Sequence, residues 1–168
     1  MTSSFDLKAM KNLTFFPEWI KDEDIVRIYE TLTKKNGGEK TTLFVGGCVR
    51  NALMGLPSND VDIATSLLPD QVIERLEKEN ITAIPTGLDH GTVTAVIKDK
   101  SVEITTLRKD VETDGRRATI AFTKSWTEDA KRRDFTVNAI YLNINNIYSD
   151  SVVVTPANEM VDSNINDV

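Results

Sequence analysis

The stretch that most restricts how this chain can fold lies between residues 42 and 65. The apolar run Thr42-Leu43-Phe44-Val45 breaks into Gly46-Gly47-Cys48-Val49-Arg50, and a second run, Val61-Asp62-Ile63-Ala64-Thr65, opens directly behind Asp60. That order predicts a buried strand, a glycine turn, a helix over 48–54 whose N-terminus faces the turn, and a second strand over 61–65. Alternate residues of a strand share a face, so Asp60 and Asp62 stand side by side, their Cα atoms roughly 7 Å apart. Like charges held that close repel unless cations sit between them. A glycine-rich turn exposes backbone N–H groups of the kind that receive a phosphate. Metal on one side and phosphate on the other would equip a nucleotidyl-transfer site. An acidic surface turn beside an unrelated tight turn would carry the same letters, so the rest of the chain decides.

Around this stretch the periodicities alternate. A helix is predicted over 22–35, with Ile25, Ile28, Tyr29 and Leu32 on one face and Asn36-Gly37-Gly38 stopping it. Pro69 opens a helix over 69–79 at a first-turn position, its inner face formed by Val72, Ile73 and Leu76. Strands are expected over 81–84, 92–97 and 102–107, the last two joined by the tight turn Lys98-Asp99-Lys100-Ser101. Residues 108–117 are polar with Gly115 inside and read as a loop, and 118–122 as another strand. Ser125 and Glu128 have capping-box spacing, predicting a helix from Ser125 to about Tyr141. The expected fold class is mixed α/β (α+β), a sheet of about five strands flanked by helices. Residues 1–40 form a lead-in and helix, 41–145 the main domain, and 146–168 the start of a linker.

At 168 residues the chain fits one domain, or one with an incomplete second piece. No apolar run approaches a membrane span, and the N-terminus lacks the basic-then-apolar order of a signal peptide. Cys48 is the only cysteine, which suits a reducing, cytoplasmic setting and excludes an internal disulfide. It reads as a packing residue rather than a nucleophile. The net charge of −6 and pI of 4.9 argue against a long polynucleotide track on this surface. The short clusters Arg116-Arg117 and Lys131-Arg132-Arg133 suffice for one triphosphate.

Glu103 is flanked by apolar residues in Val102-Glu103-Ile104. Buried, it would need a cation or donor to offset several kcal/mol; beside the Asp-x-Asp strand it would complete a three-carboxylate cluster. On the solvent-facing side of the strand it would need no explanation. In Arg133-Asp134-Phe135-Thr136-Val137-Asn138, a helix would set Asp134 and Asn138 on one face. An arginine for phosphate, with Asp and Asn for hydroxyls, suits a ribose triphosphate, although Lys-Arg-Arg-Asp alone is usually a solvated basic face.

Taken together, Gly46-Gly47-Cys48-Val49-Arg50, Asp60-Val61-Asp62-Ile63-Ala64-Thr65, Pro85-Thr86-Gly87-Leu88-Asp89-His90-Gly91-Thr92-Val93, Glu103-Ile104-Thr105-Thr106-Leu107-Arg108, Glu128-Asp129 and Arg132-Arg133-Asp134-Phe135-Thr136-Val137-Asn138-Ala139 resemble the class II nucleotidyltransferases. These are the bacterial and eukaryotic CCA-adding enzymes and bacterial poly(A) polymerases, built on a polymerase-β-type catalytic head. The resemblance covers residues 43–141 in the family's order. It implies that Asp60, Asp62 and Glu103 hold two Mg²⁺ ions and that Gly46, Gly47 and Arg50 receive phosphates. It further implies that Arg108, Arg133, Asp134 and Asn138 bind the nucleotide, the 2′-hydroxyl included. CTP and ATP would be the donors and the 3′ end of tRNA the acceptor, with residues 108–117 matching the family's flexible loop. His90 lies in a family motif without a partner in view, and a structural role is expected for it.

Two departures qualify the resemblance. Asn51 stands where the family usually has Asp, removing a charge beside Arg50 while still able to hydrogen-bond. The family's neck, with its base-reading Glu-Asp-x-x-Arg helix, and its tRNA-holding body have no counterpart here, so a separate neck and body is expected as a partner. A head that adds poly(A), or a nucleotide-binding subunit without turnover, is the alternative.

Overall fold

Residue by residue, the alternation of apolar and polar side chains builds a sheet with two unlike faces. The computed structural model describes residues 18–33, 41–111, 119–133, 139–144 and 153–156. In chain order the elements are α1 (Glu23–Thr33), β1 (Thr42–Val45), α2 (Gly47–Leu53), β2 (Val61–Thr65), α3 (Pro69–Lys78), β3 (Thr82–Gly87), β4 (Thr92–Ile97), β5 (Lys100–Thr106), β6 (Arg108–Val111), β7 (Thr119–Phe122), α4 (Trp126–Lys131), β8 (Ile140–Asn143) and β9 (Val153–Pro156). Seven strands form one sheet in the order β3-β4-β5-β2-β1-β8-β9, while β6 and β7 make a separate two-stranded ribbon. β2 and β5 run parallel, and the other pairs are antiparallel.

One face of the sheet is apolar. Val61 and Ile63 of β2, Val102 and Ile104 of β5, and Val93 and Ala95 of β4 pack there with Ile25, Ile28 and Leu32 of α1 and Val72 and Leu76 of α3. α1 presents those residues at i, i+3 and i+7, the stripe that a core-facing helix needs. Its N-terminus is capped by Asp22, whose Oδ1 accepts from the Asp24 and Ile25 amides at 3.0 and 3.4 Å. The opposite face carries a smaller cluster, in which Leu43, Val45, Ala64, Leu107 and Tyr141 meet Trp126 and Ala130 of α4. Beyond α4 that face turns polar. The Thr86 and Thr94 hydroxyls lie 2.9 Å apart and those of Thr92 and Thr105 3.3 Å apart. Strand alternation places Asp62 and Glu103 on this open, polar face.

The expected strands over 61–65 and 92–97 form with those bounds. The expected mixed α/β class is the one that forms, and four details differ. The sheet is wider than five strands, because β8 and β9 join it. The helix from Ser125 ends at Lys131 rather than near Tyr141. Ile140, Tyr141 and Leu142 instead form β8, where Leu142 pairs with Phe44 and Tyr141 with Val45. A short run of consecutive apolar residues fits a buried strand as well as a helix, and here pairing with β1 buries all three. Finally, the expected loop over 108–117 begins as β6, paired to β7 from Arg108↔Phe122 to Val111↔Thr119; residues 112–118 lie outside the described ones. Val153–Pro156, expected in the linker, pairs with β8 at the sheet edge as β9.

Candidate active site

The parallel pairing of β2 with β5 sets Asp62 directly beside Glu103, and β4 brings Thr94 opposite Glu103. Asp60 precedes Asp62 by two residues and shares its face. Asp60, Asp62, Thr94, Ser101 and Glu103 line an open cavity of about 400 Å³. Asp62 is half-buried, whereas Asp60 and Glu103 are exposed. Glu103 thus takes the solvent-facing place of the second sequence reading, next to Asp62 on the same open face. The expected burial cost does not arise, and mutual repulsion takes its place. Burial first, then Glu103 and Asp60, push the Asp62 carboxyl up to about 6, with Arg133 pulling the other way.

Among the described residues, no three His, Cys, Asp or Glu side chains converge into a ready metal cage. Mg²⁺ does not require one, since it keeps several waters and is held by one or two carboxylates together with substrate phosphates. An all-oxygen set of donors that repel one another fits such a hard cation.

The glycine turn sits next to this group. Gly46 has φ 81° and ψ −136°, a backbone that side-chain-bearing residues rarely adopt, and its amide donates to the Ile140 carbonyl at 3.2 Å. Cys48 is buried with Sγ 4.0 Å from the Asp62 carbonyl oxygen. Burial pushes its thiol up to about 11, so it stays protonated at neutral pH and packs. Arg50 donates from Nε and Nη2 to Oδ1 of Asn51 at 3.1 and 3.0 Å. Asn51 in turn donates to the Pro57 carbonyl at 3.3 Å. The amide thus orients the arginine as a carboxylate would, without adding charge. A Cβ on Gly47 would stand 3.6 Å from Arg50 Nη2, so the guanidinium lies against the turn.

The arginines gather around a residue that the sequence placed in a family segment but gave no role of its own. Asp129, 1% exposed, lies on α4. Its Oδ1 accepts from Arg132 Nε and Nη2 at 3.0 and 2.9 Å and from the Arg108 amide at 3.2 Å. Its Oδ2 accepts from Arg133 Nε and from the Tyr141 hydroxyl, both at 3.0 Å. Arg132 also donates to the Arg108 carbonyl at 3.2 Å. Arg133 lies 5.7 Å from the Tyr141 ring centroid. Burial works against the Arg133 charge, yet Asp129 and Tyr141 more than offset it and leave its pKa raised. The signal was present in the sequence as Asp129-x-x-Arg132-Arg133, a carboxylate at i to arginines at i+3 and i+4.

Arg108 donates from Nη1 to the His90 carbonyl at 2.7 Å. The His90 side chain is exposed, so the part of His90 that the fold uses is its backbone. Burial, then Arg132, lower the Arg108 pKa. The structure thus groups Asp60, Asp62 and Glu103, brings Arg133 within electrostatic reach of Asp62, and joins Arg108 to Arg133 through Asp129. Asp134 and Asn138 lie outside the described residues.

Residues 42–161 match the family described as Poly A polymerase head domain. The chain is 46% identical over 98 residues to the human CCA tRNA nucleotidyltransferase 1, mitochondrial, covering 58% of this chain and 23% of that protein. It is 44% identical over 118 residues to the CCA-adding enzyme of Bacillus cytotoxicus, covering 69% of this chain and 28% of that one. Among solved structures it resembles the Bacillus stearothermophilus CCA-adding enzyme in complex with CTP, with TM-score 0.59 and 38% identity over 76% of this chain and 28% of that one. A CCA-adding enzyme in apo form II shares the fold at TM-score 0.62 and 21% identity, covering 79% of this chain and 32% of that one. The chain spans about a quarter of the length of the curated relatives it matches. Among the described residues, no helix is long and apolar enough to cross a membrane.

Proposed function

This chain belongs to the Poly A polymerase head domain family, and we propose that it is the catalytic head of a template-independent RNA nucleotidyltransferase. In this reading it transfers CMP and AMP from CTP and ATP to the 3′-hydroxyl of tRNA, working with a neck and body that choose the base and hold the RNA. The observation that carries the reading is the register that sets Asp62 beside Glu103, with Asp60 on the same open face. Three mutually repelling carboxylates there cost stability and contribute nothing to the core. The curated relatives named above are CCA-adding proteins, which supports CCA addition over poly(A) addition. The single cysteine, held as a buried thiol, fits a reducing compartment such as the cytoplasm.

Asp60, Asp62 and Glu103 would hold Mg²⁺, which when bound would lower the pKa of the attacking hydroxyl and neutralise the departing pyrophosphate. The chain's own groups do the positioning. Asp62 and Glu103 stand side by side on paired strands, facing the open cavity. Arg108 and Arg133 meet the triphosphate, while Gly46, Gly47 and Arg50 receive phosphate oxygens from the turn. Asp134 and Asn138 recognise the ribose. The RNA 3′-oxygen then forms its bond to the α-phosphorus as pyrophosphate leaves. Substituting Asp60→Ala together with Asp62→Ala is expected to abolish Mg²⁺-dependent binding of ATP and CTP in equilibrium dialysis, with the far-UV circular dichroism unchanged. Undiminished Mg²⁺-dependent affinity in that variant would sink the assignment.

A further inference from the structure

We propose that Asp129 is a positioning residue for the triphosphate site, fixing Arg133 and the backbone of Arg108 in the arrangement that meets an incoming nucleotide; this rests on the function proposed above. A carboxylate only 1% exposed is costly unless its lone pairs are filled, and here both oxygens are filled. Oδ1 takes Arg132 and the Arg108 amide, while Oδ2 takes Arg133 and Tyr141. The group ties three separate elements together: α4, the start of β6 and strand β8.

The charge balance shows why the arrangement suits an anion. Arg108, Arg132 and Arg133 surround one aspartate, leaving two positive charges in excess among those four groups. Arg133 is hydrogen-bonded to Asp129 and also within electrostatic reach of Asp62. With Nε and Nη2 both 3.0 Å from Asp129 Oδ2, its rotation is restricted and the guanidinium plane is held in one orientation. Arg108 is fixed differently, its amide held by Asp129 and its carbonyl by Arg132. Asp129 thus acts on the phosphates through the arginines rather than by touching the nucleotide.

The test compares the unmodified chain with Asp129→Asn, measuring ATP affinity in Mg²⁺ by calorimetry and Mn²⁺ affinity without nucleotide by electron paramagnetic resonance. A loss of at least tenfold in ATP affinity with Mn²⁺ affinity changed less than threefold is expected, because the open carboxylates remain while the arginines lose their anchor. Equal losses of both ligands would indicate a merely structural role and overturn the proposal. So would unchanged ATP affinity. Should Asp129→Asn not fold, Tyr141→Phe removes one donor from the oxygen that Arg133 uses. A two- to fivefold loss of ATP affinity is then expected, and no loss overturns the proposal. Absence of Mg²⁺-ATP binding by the unmodified chain would overturn the nucleotide reading itself, and this proposal with it.

Discussion

At the scale of the residue, Asp62 is the most informative titrating group. Its carboxyl is pushed up to about 6 in the fold, against about 3.9 in an unfolded chain. The folded state therefore holds this proton more tightly. Its favourable contribution is complete below pH ~4 and is lost as pH rises through about 6. In metal-free protein the melting temperature should fall across that window by more than it does in Asp62→Asn; parallel curves in calorimetric scans with a chelator would contradict this. Protons compete with cations for the same oxygens, so Mn²⁺ affinity should drop as pH falls below about 6. Cys48 gives a second check. Burial pushes its thiol up to about 11, so iodoacetamide at pH 7.5 should leave it unmodified in the folded chain and alkylate it in denaturant. Rapid labelling of folded protein would overturn its packing role.

At the scale of the element, the β6–β7 ribbon rests on one glycine. Gly91 has φ 77°, and a Cβ there would come 2.6 Å from Phe122 Cε1 and 3.2 Å from Thr106 Cβ. Gly91→Ala should cost about 1–3 kcal/mol in urea denaturation. Adding Phe122→Ala should recover only part, because the ring moves away while the backbone strain stays; full recovery would show that the strain is negligible. The strands were legible from sequence because their alternation is strict. In Thr92–Ile97, for example, Val93, Ala95 and Ile97 are buried while the residues between them are not. β8 was not legible: Ala139, Ile140, Tyr141 and Leu142 are buried without alternation, and only the long-range partner β1 makes them a strand. β6 failed for the opposite reason, since Arg-Lys-Asp-Val carries no apolar face and gains its structure from β7. The carboxylate group was legible because Asp60 and Asp62 are near in sequence and Glu103 sits in an apolar context. The local half of the Asp129 site, its spacing to Arg132 and Arg133, was visible in the sequence, whereas the Arg108 amide and the Tyr141 hydroxyl that complete it are distant in sequence.

At the scale of the whole molecule, one face of a seven-stranded sheet is committed to the main core, while the other is open where α4 and its small cluster do not cover it. The carboxylates and arginines stand on that open side, contributed by β2, β5, β6 and α4. The net charge of −6 gives the surface little hold on a polynucleotide, whose binding scales with phosphates neutralised. The isolated chain should accordingly bind tRNA weakly, and its nucleotide affinity should exceed its RNA affinity by tenfold or more at 0.15 M salt in filter-binding assays. Tight, salt-resistant tRNA binding would contradict that division of labour. The central claim is tested most directly by incorporation. The chain is incubated with Mg²⁺, tRNA lacking its 3′ end and labelled CTP, with and without the part of the Bacillus cytotoxicus relative beyond the portion that this chain matches. Label transferred to tRNA only with that part present, and lost on Asp60→Ala with Asp62→Ala, is the predicted result. No transfer with the part present, although the chain binds Mg²⁺-CTP and the part binds tRNA, would contradict a catalytic head.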